Sequence, residues 1–207
     1  MVNTAAPKDL ARNDYRRLRR ELPPEAPLAA GRALASRAFG VIPDLVSPKA
    51  TVAAYLSGGR EPDTAELLAG LHGRGYDVVV PVCEPERRLS WCRWTPDSVL
   101  VPGLFPSVPE PAGPRLSVQD LPGLELLLVP ALAVDMAGMR MGKGGGYYDR
   151  FLAGLRAAGN AAPAVGVVYD HEVAPAQSWI SDSLDQPVNA VLTPSQWTEL
   201  PVEPVYS

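Results

Sequence analysis

A glycine-rich segment with charged neighbours is the part of this sequence best suited to chemistry. Residues 138–150 read Gly-Met-Arg-Met-Gly-Lys-Gly-Gly-Gly-Tyr-Tyr-Asp-Arg. Four of the five residues in 142–146 are glycines, which open the backbone to a ligand and allow positive φ angles, so that successive N–H groups can converge on an anion. Arg140 and Lys143 add positive charge, and Asp149 can hold a divalent metal ion through oxygen. This pattern predicts a site for a triphosphate and a metal ion.

Two common nucleotide-binding signatures do not fit this segment. The Walker pattern needs four residues between its first glycine and its Gly-Lys pair, whereas three residues separate Gly138 from Gly142. Gly144 also occupies the position of the Ser or Thr that would bind magnesium. In the dinucleotide pattern, Tyr147 would replace the last glycine. A loop that only turns the chain is the structural alternative, but such a turn needs one or two glycines.

The segment connects a predicted strand to a predicted helix. The apolar run 125–130 has the length and flanks of a buried strand, and Tyr148, Phe151 and Leu155 recur at helical spacing after the glycines. The start of that helix adds unsatisfied N–H donors and the positive end of its dipole to the anion site. We therefore expect the order strand, glycine-rich turn, helix.

The rest of the chain alternates between helical and strand patterns, which indicates a parallel sheet. We predict an α/β fold in which residues 1–207 form a single three-layer α/β/α domain around a mostly parallel central sheet, with flexible ends at 1–7 and 198–207. The proline-rich stretch 101–114 is predicted to be a fixed loop. Helices are predicted at 8–22, at 25–39 before Gly40 and Pro43, and around Leu67, Leu68 and Leu71, and strands at 51–57, 77–83, 89–94 and 164–169.

Composition and charge argue against several classes of function. The formal net charge of −4 disfavours a general nucleic-acid or membrane-surface binder, since both need a basic face. No apolar run approaches the roughly 20 residues that span a bilayer, and the N-terminus lacks the apolar region of a signal peptide. Cys83 and Cys92 have no metal-ligand spacing, so zinc is not expected. We expect a cytoplasmic monomer that acts on a small molecule.

The whole string at 138–150 resembles the signature of the 5-formyltetrahydrofolate cyclo-ligases, also called methenyltetrahydrofolate synthetases. That signature reads Gly-x-Arg-Leu-Gly-x-Gly-x-Gly-Tyr-Tyr-Asp-Arg. Met141 replaces its leucine, and Lys143 lies where the family often has an aromatic residue or His. The resemblance extends from Lys8 to Pro194, nearly the whole chain.

Other family motifs match this chain in part. The opening Lys-x-x-x-Arg matches Lys8 and Arg12, and Glu61 matches a glutamate that contacts the folate. The family's Gly-Ile-x-Glu-Pro has lost its glycine here, where Ser107 stands. In the closing Asp-x-x-Val-Asp motif, Asn189 replaces the second aspartate, so a metal role at that position is not expected.

The resemblance implies a role for each matching residue. It implies that Arg140, Lys143 and Tyr147 are catalytic and that Asp149 and Asp185 bind magnesium. The residues that it assigns to the reduced formyl folate are Tyr55, Glu61, Trp91 and Tyr147. The residues that it assigns to ATP are Lys8, Arg12, Arg140, Gly142, Lys143, Gly144, Gly145, Gly146 and Tyr148.

The activity that the resemblance implies is the closure of 5-formyltetrahydrofolate to 5,10-methenyltetrahydrofolate with ATP and Mg²⁺. A formamide oxygen is a poor leaving group, so ATP must phosphorylate it before N10 attacks and phosphate departs. Such a site needs positioning and charge neutralisation but no protein nucleophile. Two alternatives stay open. One is an enzyme of related fold without ATP, such as a sugar-phosphate isomerase or thioester transferase, and the other is a family member that binds folate or nucleotide without turnover.

Overall fold

The computed structural model of the protein describes residues 6–105 and 108–201, so Ser107 lies outside the described residues. The helices assigned in that part of the chain are α1 (Lys8–Glu21), α2 (Ala26–Leu45), α3 (Ala65–Gly73) and α4 (Tyr147–Ala157). The strands are β1 (Thr51–Ala53), β2 (Asp77–Glu84), β3 (Arg88–Arg93), β4 (Leu100–Pro102), β5 (Pro109–Pro111), β6 (Leu124–Pro130), β7 (Ala133–Asp135), β8 (Arg140–Met141), β9 (Ala164–Val167), β10 (Val173–Ala174), β11 (Ala190–Leu192) and β12 (Trp197–Glu199).

A seven-stranded sheet forms the centre of the fold, in the order β12-β11-β9-β6-β1-β2-β3. The five inner strands pair in parallel, and the two edge strands, β12 and β3, pair antiparallel with their neighbours. The predicted α/β class with a mostly parallel sheet is therefore confirmed. A smaller three-stranded sheet has the order β10-β7-β8, and its strand β8 lies within the glycine-rich segment.

Alternate residues of the inner strands enter two separate cores on opposite faces of the sheet. In β2, Val78 and Val80 pack in the core that includes α2 and α3, while Val79 packs in the core that includes Leu152 and Leu155 of α4. This is the period-two alternation expected of a strand that is buried on both sides. The helices α2 and α3, the sheet and α4 thus form the three predicted layers.

Helix α2 continues to Leu45, through the Gly40 and Pro43 that were predicted to end it. Leu34 and Ile42 of this helix are completely buried in the core beneath it. Burial of each large apolar side chain contributes roughly 1.5–3 kcal/mol, which offsets the cost of about 3 kcal/mol for a proline inside a helix. Even α2 is not a membrane span, since no described helix is long and apolar enough to cross a bilayer.

Two other predicted elements are corrected by the structure. The stretch 101–114 is not an irregular loop throughout, because β4 and β5 pair in it as a short antiparallel hairpin. Its prolines are compatible with so short a two-stranded ribbon, which has no central strand. Strand β1 ends at Ala53, whereas 51–57 was predicted. The next residues leave the ladder because the Thr64 hydroxyl donates to the Tyr55 carbonyl and accepts from the Ser57 N–H.

The C-terminal end is more ordered than predicted. Residues 198–207 were expected to be flexible, but Thr198 and Glu199 belong to β12, which pairs with β11, and Leu200 is buried. Residues 1–5 and 202–207 lie outside the described part of the chain.

Candidate active site

The strand order reverses between β1 and β6, so the carboxyl ends of these two strands mark the switch point of the sheet. From β1 the chain moves through β2 to one edge of the sheet, and from β6 it moves through β9 and β11 to the other. Such switch points are where open α/β sheets bind ligands. The loop after β1 carries Glu61, and the chain after β6 leads to the glycine-rich segment. The two meet, because Lys143 Nζ lies 2.8 Å from Glu61 Oε1.

The glycine-rich segment forms a loop between β8 and α4 with one open side. Gly144 and Gly146 have φ angles of 104° and 69°, in the left-handed region that favours glycine. A Cβ atom added to either would meet no described atom within 4 Å beyond the neighbouring residues, so this side faces open space. At Gly142, an added Cβ would lie 2.8 Å from the Arg140 guanidinium. The glycines therefore provide both access and close packing.

The buried carboxylate of Asp135 shapes the turn that leads into the loop. Its Oδ1 accepts hydrogen bonds from the N–H groups of Ala137 and Met139, both at 2.9 Å, and its Oδ2 accepts one from Gln177 at 2.9 Å. This turn separates β7 from β8, so the strand directly before the glycines is the two-residue β8 and not the predicted strand at 125–130. Asp135 was not among the predicted site residues.

Arg140 and Asp149 form an ion pair beneath the loop. Arg140 is buried, and its Nη2 donates to Asp149 Oδ1 at 2.7 Å while its Nη1 donates to the Pro130 carbonyl at 3.4 Å. Its Nε has no hydrogen-bond partner among the described residues. Asp149 Oδ1 also accepts from the Gln186 N–H at 3.3 Å. The cation assigned to ATP and the carboxylate assigned to magnesium are thus direct neighbours.

Helix α1 lies along the same loop and contacts it with successive cations. Arg12 Nε donates to the Gly142 carbonyl at 3.3 Å, and Arg16 donates to the Lys143 carbonyl at 2.8 Å. One turn earlier, Lys8 forms an ion pair with Asp185. The spacing of four residues between Lys8, Arg12 and Arg16 places them on one face of the helix. The structure therefore brings the predicted Arg12 to the glycine-rich loop, adds Arg16, and places Lys8 one turn away beside Asp185.

Glu61 is a buried carboxylate with one backbone donor and two cations beside it. Besides its contact with Lys143, its Oε2 accepts from the Gly58 N–H at 2.9 Å. Arg19 Nη1 lies 4.0 Å from Oε1. A carboxylate that is 5% exposed would be costly to bury without such partners. Glu61 lies just before α3 in the chain. The start of that helix is held by Asp63, whose Oδ1 accepts a hydrogen bond from the Ala65 N–H at 2.8 Å.

Arg19 is the least exposed cation of α1 and joins three parts of the fold. It donates to both oxygens of the fully buried Glu172, at 2.6 and 2.9 Å, and to the carbonyl of Ala131 at 2.6 Å. Burial alone would lower the pKa of Arg19, but the hydrogen bonds with Glu172 raise it above its ordinary value. This buried pair fixes α1 against the chain that follows β6 and β9.

Two tyrosine hydroxyls lie buried beside these charges. The hydroxyls of Tyr55 and Tyr148 have no hydrogen-bond partner among the described residues. Burial and then the negative charge of Glu61 raise the pKa of Tyr55. Burial also raises the pKa of Tyr148, against the opposing charge of Arg140. Both groups are therefore neutral donors at physiological pH.

Tyr147 and Trp91, which were assigned to the folate, lie in different surroundings. Tyr147 is half-buried at the first position of α4, and its ring meets that of Phe105 edge to face, with 5.9 Å between centroids. Trp91 lies in the core, 1% exposed, with its ring centroid 4.9 Å from that of Phe151. A direct contact between Trp91 and a folate stays a prediction.

Cys83 and Glu110 lie together where β2 ends. The Cys83 N–H donates to Glu110 Oε1 at 2.9 Å, and Glu110 is buried. Burial, followed by the charge of Glu110, raises the pKa of the Cys83 thiol to about 11. A thiol that stays protonated is a poor nucleophile, so Cys83 acts as a small hydrophobic side chain.

The magnesium assignment depends on two separate carboxylates. Within residues 6–105 and 108–201, no group of three His, Cys, Asp or Glu side chains is arranged to hold a metal ion. Asp149 pairs with Arg140, and Asp185 pairs with Lys8. Asn189 is used structurally, since its Oδ1 accepts from the Ala164 N–H at 2.9 Å. A magnesium ion bound through one or two carboxylates and substrate phosphates needs no larger cluster, so the donor set fits.

The predicted site residues did not include Arg16, Arg19, Asp135 or Glu172. The spacing of α1 could have found the first two, because positions 8, 12, 16 and 19 follow one helical stripe. Asp135 gives only a weak turn signal before Gly138. No local signal identifies Glu172, whose partner is 153 residues away in the chain.

Comparisons with known proteins agree with this architecture. A 5-formyltetrahydrofolate cyclo-ligase of Mycolicibacterium smegmatis is 37% identical over 128 residues, which cover 59% of this chain and 63% of the relative. The cyclo-ligase of Escherichia coli K12 is 33% identical over 189 residues, 87% of this chain and 97% of the relative.

A solved structure and a sequence family point the same way. The NMR structure of Aquifex aeolicus 5,10-methenyltetrahydrofolate synthetase superposes with a TM-score of 0.73 at 25% identity, over 97% of this chain and 96% of that one. The profile of the 5-formyltetrahydrofolate cyclo-ligase family matches residues 4–194. With the glycine-rich loop and its charged neighbours in place, this match shows that the chain belongs to the 5-formyltetrahydrofolate cyclo-ligase family.

Proposed function

We propose that the protein uses ATP and Mg²⁺ to cyclise 5-formyltetrahydrofolate to 5,10-methenyltetrahydrofolate, releasing ADP and phosphate. The observation that carries the proposal is that α1 and Glu61 both contact the glycine-rich loop at the switch point of the sheet. Cations and open N–H groups on one side suit a triphosphate, and a buried carboxylate on the other suits the N–H donors of a reduced pterin. Family membership supports the same reaction.

The triphosphate is proposed to bind against the open face of the loop. Gly142, Gly144, Gly145 and Gly146 present backbone N–H groups there, and the start of α4 adds the positive end of a helix dipole. Arg140 is proposed to neutralise charge on the transferring group, since its Nε has no hydrogen-bond partner in the described part of the chain. Lys8, Arg12 and Lys143 supply further charge, and Tyr148 packs below, its ring centroid 5.7 Å from the Arg140 guanidinium carbon.

Phosphoryl transfer makes the formyl oxygen a leaving group. The oxygen of the N5-formyl group attacks the γ-phosphorus, and ADP departs. N10 then attacks the activated carbon, loses its proton, and the C–O bond breaks to release phosphate as the imidazolinium ring closes. The protein contributes positioning and charge neutralisation through Arg140 and Lys143, with Tyr147 at the start of α4 facing the reacting groups.

Magnesium would be held by Asp149 and Asp185 together with phosphate oxygens. Both hydrogen bonds to Asp149 use Oδ1, so we propose Oδ2 as its ligand atom. When bound, the ion supplies positive charge that offsets charge on the phosphates during transfer. The hydrogen bonds from Arg140 and from the Gln186 N–H orient the Asp149 carboxylate.

The folate side is proposed to include Tyr55, Glu61 and Tyr147, with Trp91 behind them in the core. Glu61 can accept hydrogen bonds from pterin N–H groups, and the Tyr55 hydroxyl can donate to a carbonyl oxygen. Action as a cytoplasmic monomer stays a prediction.

The test is turnover by the purified protein. We expect near-ultraviolet absorbance of the methenyl product to rise when 5-formyltetrahydrofolate, Mg²⁺ and ATP are all present, and to stay flat without ATP. Product formed without ATP would contradict the proposal, as would its absence in protein shown to be folded. In that second case, separate binding measurements with folate and nucleotide would test the alternative of a family member that binds without turnover.

A further inference from the structure

Lys143 and Glu61 contact each other although they are assigned to different ligands. Lys143 Nζ lies 2.8 Å from Glu61 Oε1, yet the lysine belongs to the ATP side of the proposed site and the glutamate to the folate side. The side chain of Lys143 is 55% exposed, whereas that of Glu61 is 5% exposed. The pair thus joins the long, largely exposed side chain of Lys143 to the buried carboxylate of Glu61.

The Lys143 ammonium can leave this contact while the rest of the residue stays in place. Its backbone is held by Arg16, which donates to the Lys143 carbonyl at 2.8 Å. The side chain of a lysine is a flexible four-carbon stem that ends in a compact ammonium charge. The same ammonium can therefore reach different anionic partners. Gly144, next in the chain, borders the open face proposed for the triphosphate. A short rotation of the stem can therefore move the charge from one ligand side to the other.

Glu61 keeps a cationic neighbour when Lys143 leaves. Arg19 lies 4.0 Å from Glu61 Oε1 and is itself fixed by Glu172 and the Ala131 carbonyl. The Gly58 N–H continues to donate to Oε2. A buried carboxylate with no partner would be costly, but these contacts remain, so Oε1 becomes available as an acceptor.

We propose that Lys143 is a positioning residue that couples nucleotide binding to folate binding, an inference that rests on the proposed function. Without nucleotide, Lys143 occupies Glu61 and competes with the pterin N–H groups for Oε1. A bound triphosphate offers the ammonium more negative charge, draws it away and leaves Glu61 to the folate. Coupling of this kind is reciprocal, so folate also tightens nucleotide binding by the same factor.

The test is a folate titration with and without nucleotide. Binding of 5-formyltetrahydrofolate to the parent is measured with Mg²⁺ alone and with Mg²⁺ plus a β,γ-imido ATP analogue that cannot transfer phosphate. We expect the analogue to tighten folate binding at least about fivefold, the lower end of typical couplings. In Lys143→Met, which keeps an unbranched stem without the charge, folate should bind tightly without nucleotide, and the analogue should add no more than about twofold.

Two controls separate this effect from general changes. Lys49→Met removes an exposed lysine before β1 and should keep the parent's coupling. In a Glu61→Gln background, Lys143→Met should no longer change folate binding without nucleotide, because the ion pair is already lost.

The possible failures are distinguishable. Equal folate affinity of the parent with and without the analogue would overturn the coupling, and so would full coupling in Lys143→Met. Either result leaves the proposed reaction intact. If the parent binds no folate under any condition, the proposed function itself fails and the inference fails with it.

Discussion

Arg140 donates a 2.7 Å hydrogen bond to Asp149 across the start of α4. This contact joins the cation proposed for the transferring phosphoryl group to the carboxylate proposed for magnesium, before either ligand is present. Pre-positioned charges of this kind cost little reorganisation during reaction. Substitutions of Arg140 and of Asp149 should therefore separate phosphate binding from magnesium binding.

Arg140→Ala is expected to lower kcat/KM for ATP at least about tenfold, because hydrogen bonds to charged groups contribute roughly 1.5–3 kcal/mol each. Steady-state kinetics at varied ATP would measure this. Arg93→Ala is a matched control, since Arg93 forms an exposed ion pair with Asp77 at 3.2 Å on the edge strand β3. Parent-like ATP kinetics in folded Arg140→Ala protein would refute the phosphate assignment.

Asp149→Asn should raise the Mg²⁺ concentration needed for half-maximal activity, on the order of tenfold. The amide oxygen can still accept the hydrogen bond from Arg140, so the change removes charge and leaves the local geometry. A magnesium titration of activity measures the shift, with Asp14→Asn, an exposed position on α1, as the control. An unchanged magnesium requirement would mean that Asp149 serves only Arg140.

Tyr148→Phe is expected to leave the free energy of unfolding unchanged or to raise it by up to about 1 kcal/mol, because it removes a buried hydroxyl that has no hydrogen-bond partner within residues 6–105 and 108–201. Tyr169→Phe is the contrasting variant. Its hydroxyl donates to the Arg60 carbonyl at 3.1 Å, so its loss should cost about 1 kcal/mol. Urea unfolding of both variants decides the matter, and a clear loss of stability in Tyr148→Phe would show that its hydroxyl is hydrogen-bonded.

Cys83 should react slowly with iodoacetamide near neutral pH. Because burial raises the pKa of its thiol from 9.0 to about 11, the reactive thiolate is roughly a hundredfold scarcer at pH 8 than for an ordinary cysteine. Mass spectrometry of the labelled peptide should show a rate that rises about tenfold per pH unit up to pH 10. A plateau near pH 9 would contradict the raised pKa.

The sequence predicted the architecture well where the pattern is local. Apolar runs located β1, β2, β6 and β9, and helical spacing located α1, α3 and α4. The four-residue spacing of Lys8 and Arg12 places both on one face of α1. The predicted end of α2 was wrong. Gly40 and Pro43 have low helix propensity, but the burial of Leu34 and Ile42 stabilises the helix as far as Leu45.

The electrostatic partners within the site could not be predicted from the sequence. Arg19 reads as one of several cations on a basic helix, and only the fold brings it to Glu172. The contact between Lys143 and Glu61 likewise depends on the position of β1 beside β6, which short-range patterns do not determine.

The most direct test of the proposed reaction follows one oxygen atom. 5-Formyltetrahydrofolate labelled with ¹⁸O in the formyl group is converted with Mg²⁺ and unlabelled ATP, and the released phosphate is examined by mass spectrometry. Transfer of the phosphoryl group to the formyl oxygen predicts one ¹⁸O atom in each phosphate, formed together with one ADP. Unlabelled phosphate, with the ¹⁸O released as water, would contradict the account.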